Sequence, residues 1–506
     1  MESPSLSPSL SPSRARDRIS GLPDDVLGHI LSFLPNDEAG RAAVLCRRWC
    51  DVFGHVHTIS FEEREGERND DWYTYYLEAT ERRSCSTAID RISAALLCRR
   101  RCAGGHVPLR TFRFAFDKFM DGLDTIQVDQ WLSYVLEYAR QELNLDLRFV
   151  IEPICHHDRY SGAAVDDNAG SDSDDDETGL YRLPRRLFSC AALKTLCLSH
   201  CLLKLPEAIH LPCLETLRLT NIRHDSGRSV QRLVSSCPRL DDLTLEAFHH
   251  LRTLTVLHRR LCRFALRCCH SAKSIQIDAS ELRSIEFRGY LPRESLVTLH
   301  GLPASRGITS CTLALCTPVS KSPAKLKAFR RFLWSFAASK RLHLHHQRLH
   351  TKCLTADGLP LFFHMTHLVL QGRVHRREFI GAVRGMLEQT PNLEVLSLHM
   401  AEEKERLWER VESGCLGKAG DAAMVMVPDG WGFSKTPCLR LRVREINMEH
   451  YEGNETQRTL ARLLFANAIV LERVRVVFAG KCFAVQARLE EEIESWAKDG
   501  SERIFM

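Results

Sequence analysis

The sequence predicts an α+β chain: three short helices at the N-terminus, then an irregular α/β solenoid of Leu-spaced strands, finished by a C-terminal β-α-β cap. Three observations carry this reading. Apolar residues from Leu22 to Phe53 recur at helical spacing and are divided by turn residues. From Leu193 onward the spacing Leu-x-x-Leu-x-Leu returns repeatedly, with alternate side chains on one face as in a strand. The stretch from Pro437 to Phe478 changes period from strand to helix and back.

The N-terminal segment, Asp17 to Phe53, has the densest signals. Leu22, Val26, Leu27, Ile30, Leu31 and Leu34 form one helical stripe. Pro23 suits a first turn, and Asp24 and Asp25 suit the positive end of the helix dipole. Pro35 is expected to stop this helix. Asn36 or Asp37 can cap a second helix carrying Ala39, Ala42, Ala43, Val44 and Leu45. A third holds Arg47, Arg48, Trp49, Val52 and Phe53. Three helices in so few residues cannot bury all this apolar surface among themselves, so the remainder is expected to face a partner.

These residues resemble an F-box: Leu22-Pro23-Asp24-Asp25-x-Leu27, Ile30-Leu31, Leu34-Pro35, then Leu45-Cys46-Arg47-Arg48-Trp49. Cys46 stands where such boxes commonly carry Ser, and Phe53 where an aromatic residue, often Trp, is usual. The resemblance implies docking on a Skp-type adaptor, and through it on a cullin scaffold and the ubiquitin-conjugating machinery. The implied adaptor-binding residues are Leu22, Pro23, Val26, Leu27, Ile30, Leu31, Leu34, Val44, Leu45 and Trp49.

Beyond the box, 87–101 and 128–142 have helical spacing, while 109–117 and 143–149 alternate as strands. Residues 1–16 are a Ser-Pro repeat, expected to be a disordered tail with candidate phosphorylation sites. Between 153 and 179 lies a run of acids among Gly, Ser and Ala, expected to be a disordered insertion; it lacks the Gly and terminal Glu of an EF-hand loop.

The repeat triplets begin at Leu193, Leu214, Leu240, Leu251, Leu261, Ala272 and Leu282, and resume at Met365 and Leu393. They resemble the leucine-rich repeat. Where starts fall every 10 or 11 residues there is no room for an intervening helix. Either a coil of about 21 residues carries a strand on each side, as in a β-helix, or the strands form a meander. Further on, 308–315 alternates as a strand, 324–338 has helical spacing, and Leu342 and Leu344 point inward between His343 and His345.

In the tail, Leu439, Leu441, Val443, Ile446 and Met448 are expected to make a strand, Gly453-Asn454-Glu455 to turn into a helix carrying Leu460, Leu463, Leu464, Phe465 and Ala468, and Leu471 to Phe478 to return as a second strand. Gly453-x-Glu455, Leu463-Leu464, Asn467-Ala468 and Leu471-Glu472 resemble the FBD region of plant F-box/leucine-rich-repeat proteins. The expected organisation is tail 1–16, F-box 17–60, start of the repeats 61–152, acidic insertion 153–179, leucine-rich-repeat solenoid 180–436, FBD-like cap 437–480 and a C-terminal helix or tail 481–506.

Composition bounds the function. With 506 residues, 44% hydrophobic and 26% charged, the chain is of ordinary globular composition and too long for one core. A net charge of +5 is too dilute to imply nucleic-acid binding, and no apolar run reaches membrane-spanning length. The 20 Cys lie mostly in apolar contexts without a preceding signal-peptide pattern, which fits reduced core thiols in the nucleus or cytoplasm. No P-loop, His-Glu-x-x-His or Gly-x-Ser-x-Gly motif is present, so no catalytic residue, cofactor or metal is expected. Cys311-x4-Cys316 with His345-x4-His350 lies too far apart for a zinc finger, and core cysteines explain it more simply. Arg99-Arg100-Arg101 reads equally as part of a nuclear signal or as a solvated cluster at a helix end. The resulting expectation is a non-catalytic substrate receptor of an SCF-type ubiquitin ligase, with an unknown protein target. The alternative is a non-degradative interaction scaffold.

Overall fold

The structure is a computed structural model. It describes residues 19–506 except 20, 35, 44, 64–87, 103–106, 117–118, 120–123, 150–154, 156–178, 224–226, 293–295, 301–307, 320–321, 346–348, 350, 356–357, 373, 375–377, 401–432, 434–435, 481–482 and 497–499. The Ser-Pro tail and, Cys155 and Gly179 apart, the acidic insertion therefore lie outside the described residues. The chain divides into two units, residues 1–151 with 177–196, and 152–176 with 197–506.

The first unit opens with α1 (Asp24–Leu31), α2 (Asn36–Ala43) and α3 (Arg47–Phe53). The first helix ends earlier than the apolar stripe predicts. After Leu31 the chain tightens into three-residue turns, with Phe33 N–H donating to the Ile30 carbonyl and Leu34 N–H to that of Leu31. Next come β1 (Thr58–Glu62), α4 (Ala88–Cys102), β2 (Thr111–Ala115), α5 (Thr125–Tyr138), β3 (Leu143–Arg148) and β4 (Tyr181–Arg182). Strands β1, β2 and β3 pair in parallel, as strand-helix-strand crossovers require.

The alternating Phe residues of β2 supply this unit's core. Phe112, Phe114 and Phe116 are fully buried; Phe114 meets Phe112, Trp131 and Phe149, Phe116 meets Trp131, and Phe149 stacks on Tyr181 at 4.7 Å. The polar ends are satisfied: Tyr181 Oη donates to Asp129 at 2.6 Å and Trp131 Nε1 to Ser93 at 3.1 Å. Arg99 corrects the reading of its triplet as a solvated cluster or nuclear signal. Its side chain is buried and donates to the carbonyls of Val56 at 3.0 Å and Val107 at 2.6 Å, joining α4 to the end of the three-helix segment. Only Arg100 and Arg101 of the triplet are exposed.

The division between the units falls within β5 (Leu193–Ser199). The second unit continues with β6 (Cys201–Leu202), β7 (Thr216–Thr220), α6 (Arg228–Ser235), β8 (Asp242–Glu246), β9 (Thr253–Leu257), β10 (Arg263–Arg267), β11 (Ser274–Asp278), β12 (Ser284–Gly289), β13 (Val297–His300) and β14 (Ser310–Leu315). Then follow α7 (Pro323–Trp334), β15 (Arg341–His345), β16 (His367–Gly372), α8 (Glu378–Glu388) and β17 (Val395–Met400).

In the closely spaced stretch, strands alternate between two sheets. β7, β8, β10, β12 and β14 pair in parallel, and β9, β11 and β13 form a separate parallel sheet. From β8 to β14 consecutive strands therefore do not pair, as a meander would require. Asp242, Arg263 and Ser284 stand in register, 21 residues apart, which is too short for a helical return. Beyond β14 the parallel pairing continues through β15, β16 and β17 with longer, partly helical returns.

Two buried rows run across these strands. One is Leu217, Leu243, Phe264, Ile285, Cys311, Leu342, Leu368 and Leu396; the other is Leu219, Leu245, Leu266, Phe287, Leu313, Leu344, Leu370 and Leu398. Each such side chain contributes about 1.5–3 kcal/mol by leaving water. The strand ends carry a second repeat. His200, Asn221, Ala247 and Cys268, each following a strand, all have positive φ. Each donates its N–H to a carbonyl at the end of a neighbouring strand, Asn221 to that of Glu246 at 2.8 Å and Ala247 to that of Arg267 at 2.8 Å. Ala247 and Cys268 do not take that conformation readily, so the hydrogen bonds to the neighbouring strands hold them there.

The C-terminal part contains α9 (Pro437–Leu441), β18 (Glu445–Tyr451), α10 (Glu455–Asn467), β19 (Arg473–Phe478), α11 (Phe483–Trp496) and β20 (Glu502–Phe505), with β17 to β20 parallel. One expectation is corrected. Leu439 and Leu441 belong to a short helix rather than a strand, because Pro437 at its first position favours helical entry. The edge strand of this part is β20, which pairs with β19 after the helix α11. The α10 helix begins as expected. The Asn454 side chain accepts from Gln457 N–H at 2.9 Å, and the Gln457 side chain accepts from Asn454 N–H, a capping box. Gly453, at φ +71°, makes the turn; a Cβ there would stand 2.4 Å from Leu489.

Candidate functional site

The candidate site is the surface of the three N-terminal helices. Its scaffold is built from short-range chemistry. Pro23, extended, precedes α1, and Asp24 in the first turn accepts from Arg48 Nε at 3.0 Å and Nη2 at 2.9 Å. Arg48 Nη2 also donates to the Leu22 carbonyl at 2.5 Å, so one guanidinium on α3 fixes the start of α1. Gly28 lets α1 approach the chain after α3: a Cβ there would lie 2.6 Å from His55 Cβ. Ser32 Oγ donates to the Gly28 carbonyl at 2.8 Å and accepts from His57 N–H at 3.1 Å. His57 lies 2.7 Å from His29, and burial, with Arg110 and His29 nearby, holds its pKa below the ordinary histidine value.

This scaffold sorts the predicted residues into two groups. Leu27 and Leu31, 1% and 3% exposed, are buried with Ala39, Val52, Phe53 and Val56 and hold the helices together. Pro23, Val26, Ile30, Leu34 and Leu45 are exposed, and Leu22 and Trp49 are half-buried. Val44 lies outside the described residues. Burial therefore removes Leu27 and Leu31 from any contact surface, since a side chain enclosed by its own helices cannot touch a second protein. Sequence reasoning missed Phe33, 75% exposed beside Leu45 at 76% as one of the most exposed apolar side chains of the segment. Its signal was available, three residues after Ile30. Cys46 occupies the N-cap of α3 in extended conformation and makes no side-chain cap hydrogen bond.

The second unit presents a different face. On the face opposite the buried rows several strands carry polar side chains, among them Glu286 of β12, His343 of β15 and Asn447 of β18. Arg267 pairs with Glu286 at 2.7 Å, and His343 contacts Gln371 at 2.7 Å, stacks on His345 at 4.7 Å and lies edge-on to His399 at 5.5 Å. Burial, reinforced by His343 and Arg288, lowers the His345 pKa to about 4.

The cysteines divide likewise. Cys201 and Cys237 are buried and pushed up to about 12 by desolvation. Cys311 sits in the inward row while His345 lies on the opposite face of its own strand, so the loosely zinc-like Cys311, Cys316, His345, His350 set is not assembled; His350 lies outside the described residues. Cys316 instead meets Cys155, Cys268 and His270, with the ligand atoms of all four within 4.8 Å of one another. Among the described residues no helix is long and apolar enough to cross a membrane.

Comparison with known proteins agrees with this layout. The F-box domain family matches residues 19–58, covering the three helices and the start of β1. The family "FBD-associated F-box protein At5g56370, LRR repeats" matches residues 173–304, covering β4 to β13. The F-box/LRR-repeat protein At4g14103 of Arabidopsis thaliana is 26% identical over 76% of this chain and 92% of its own length. The F-box/FBD/LRR-repeat protein At3g52680 of the same plant is 23% identical over 76% of this chain and 71% of its own length. The FBD-associated F-box protein At5g38590, also from that plant, is 22% identical over 94% of this chain and 98% of its own length. With box helices matched at one end, repeat strands in the middle and relatives spanning both, the chain fits the plant F-box/leucine-rich-repeat/FBD family.

Proposed function

We propose that this chain is the substrate-recognition subunit of an SCF-type ubiquitin ligase and makes or breaks no covalent bond itself. The observation that carries the proposal is the row of apolar side chains left outside the box helices: Val26, Ile30, Phe33, Leu34 and Leu45. Burying them against a Skp-type adaptor contributes about 1.5–3 kcal/mol each before the cost of association, enough for a stable complex. The adaptor links the chain to a cullin scaffold. The target is a protein held on the outward polar face of the parallel strands, which we take to be a leucine-rich-repeat solenoid. The elements from α9 to β20 cover its last strand, as the end of a stacked repeat requires. Such a receptor acts by proximity, bringing target lysines near the charged conjugating enzyme, in the nucleus or cytoplasm.

The experiment is reconstitution. The full chain is combined with a Skp-type adaptor, a cullin, a RING subunit and a charged conjugating enzyme, and a protein captured by the second unit is added. The expected result is ubiquitin on the captured protein only when this chain is present. Capture without ubiquitin transfer in the complete assembly would overturn the receptor role and favour a scaffold.

A further inference from the structure

We propose that Cys155, Cys268, His270 and Cys316 form a structural Zn2+ site that ties Cys155 to the ends of strands β10 and β14. The four residues come from three places. Cys155 stands at the beginning of the acid-rich stretch, Cys268 and His270 lie in the turn after β10, and Cys316 immediately follows β14. Strands β10 and β14 flank β12, and the two cysteines close over its end: Cys268 N–H donates to the Arg288 carbonyl at 2.5 Å and Cys316 N–H to that of Gly289 at 2.9 Å. Pairing of strands thus joins ligands that the sequence holds far apart.

The distances suit one tetrahedral ion. Zinc bonds of about 2.3 Å to sulfur and about 2.0–2.1 Å to nitrogen imply tetrahedron edges of about 3.8 Å between sulfurs and about 3.6 Å between sulfur and nitrogen. Cys268 Sγ and Cys316 Sγ lie 3.7 Å apart, and Cys155 Sγ lies 3.7 Å from His270 Nε2. A disulfide needs about 2.05 Å, so the sulfurs are not joined in pairs. Other buried cysteines use their thiols singly: Cys237 donates to the Leu233 carbonyl at 3.0 Å and Cys438 to that of Leu387 at 3.1 Å. Only this group, among the described residues, converges on one point.

Ligand type and surroundings select the ion and its role. Three soft thiolates and one imidazole favour zinc over calcium or magnesium, and four protein ligands leave no open position for catalysis. The His270 ring is oriented by stacking on Tyr290, centroids 3.9 Å apart and planes 19° apart. Three thiolates around a divalent ion leave one negative charge, and Arg288 is the positive group acting on Cys316. A pocket lined by His249, His250, Lys273 and Tyr290 reaches His270 and gives an ion its path in.

The test uses the full chain purified without chelators. Elemental analysis is expected to find one zinc per chain. Replacement by cobalt is expected to give tetrahedral d–d bands with a thiolate charge-transfer band. The double variant Cys268→Ser/Cys316→Ser should lose the metal and the band. His270→Cys should keep one metal and strengthen the charge-transfer band, a readout independent of whether the serine variant folds. Zinc below one-tenth of an equivalent, a Cys268–Cys316 disulfide in the unreduced protein, or full zinc content in the folded serine variant would each overturn the site.

Discussion

The box helices and the repeat strands use the same amino acids in opposite ways. In the repeats, Leu245 and Leu266 are enclosed between neighbouring strands, and Arg267, Glu286 and His343 face outward. In the box, Leu45 and Phe33 stand outside and a thin layer of Leu27, Leu31, Ala39, Val52, Phe53 and Val56 is enclosed. The difference follows from size. Parallel strands that repeat can bury every inward residue against the next strand, whereas three helices of seven or eight residues cannot. An apolar surface left in this way fits a partner of fixed shape. A polar one can vary from protein to protein without disturbing the core behind it.

The largest expected effect breaks the comparison at its strongest point. Leu245→Ala removes a buried side chain from between β7 and β10 and is expected to cost about 2–5 kcal/mol. Leu45→Ala, the same chemical change on an exposed residue, is expected to cost less than about 0.5 kcal/mol. Paired denaturant titrations measure both. Equal costs would mean that Leu45 is enclosed in the folded chain.

That contrast also defines what was legible. The inward Leu rows and the strand positions were visible because a period of two shows directly in the sequence. The choice between meander and alternating sheets was not, because both give strands every 10 or 11 residues. At the box, the helical stripe was legible, but one stripe contains both sides of a thin layer. Leu27 and Leu31 could not be told from Ile30 and Leu34 until the third helix was in place. The strand reading at Leu439 failed because a single Pro outweighed a short alternation. The cysteine and histidine cluster was invisible for a simpler reason: its members are neighbours only once strands far apart in sequence have paired.

The next effect sharpens the comparison through pH. His345 is held neutral in the folded chain, with its pKa lowered to about 4, and His343 is lowered as well by burial. The unfolded chain titrates at about 6.5, so between about 6.5 and about 4 it binds more protons than the folded chain. Stability contributed by these groups is therefore unaffected above about pH 6.5 and falls as pH drops through that window. Melting temperature is expected to decline from pH 7.5 to 5, and His345→Gln should reduce the decline. An identical decline in the variant would remove His345 from the account.

The smallest effect concerns the box scaffold. Cys46 sits at the α3 N-cap with no side-chain hydrogen bond, where a Ser hydroxyl would accept from the helix's first turn. Cys46→Ser is expected to raise stability by about 0.5–1 kcal/mol, read as a shift of the denaturation midpoint. A loss of stability would show that the thiol packs rather than caps.

The central claim is that exposed apolar side chains of the box helices hold the adaptor. Its most direct measurement is a calorimetric titration of a purified Skp-type adaptor into the full chain and into the double variant Ile30→Asp/Leu45→Asp. Both residues are exposed, so the variant is expected to keep its melting temperature. Burying two carboxylates without partners should weaken binding at least about 100-fold. Unchanged affinity in the folded variant would contradict the account and move the docking surface elsewhere on the chain.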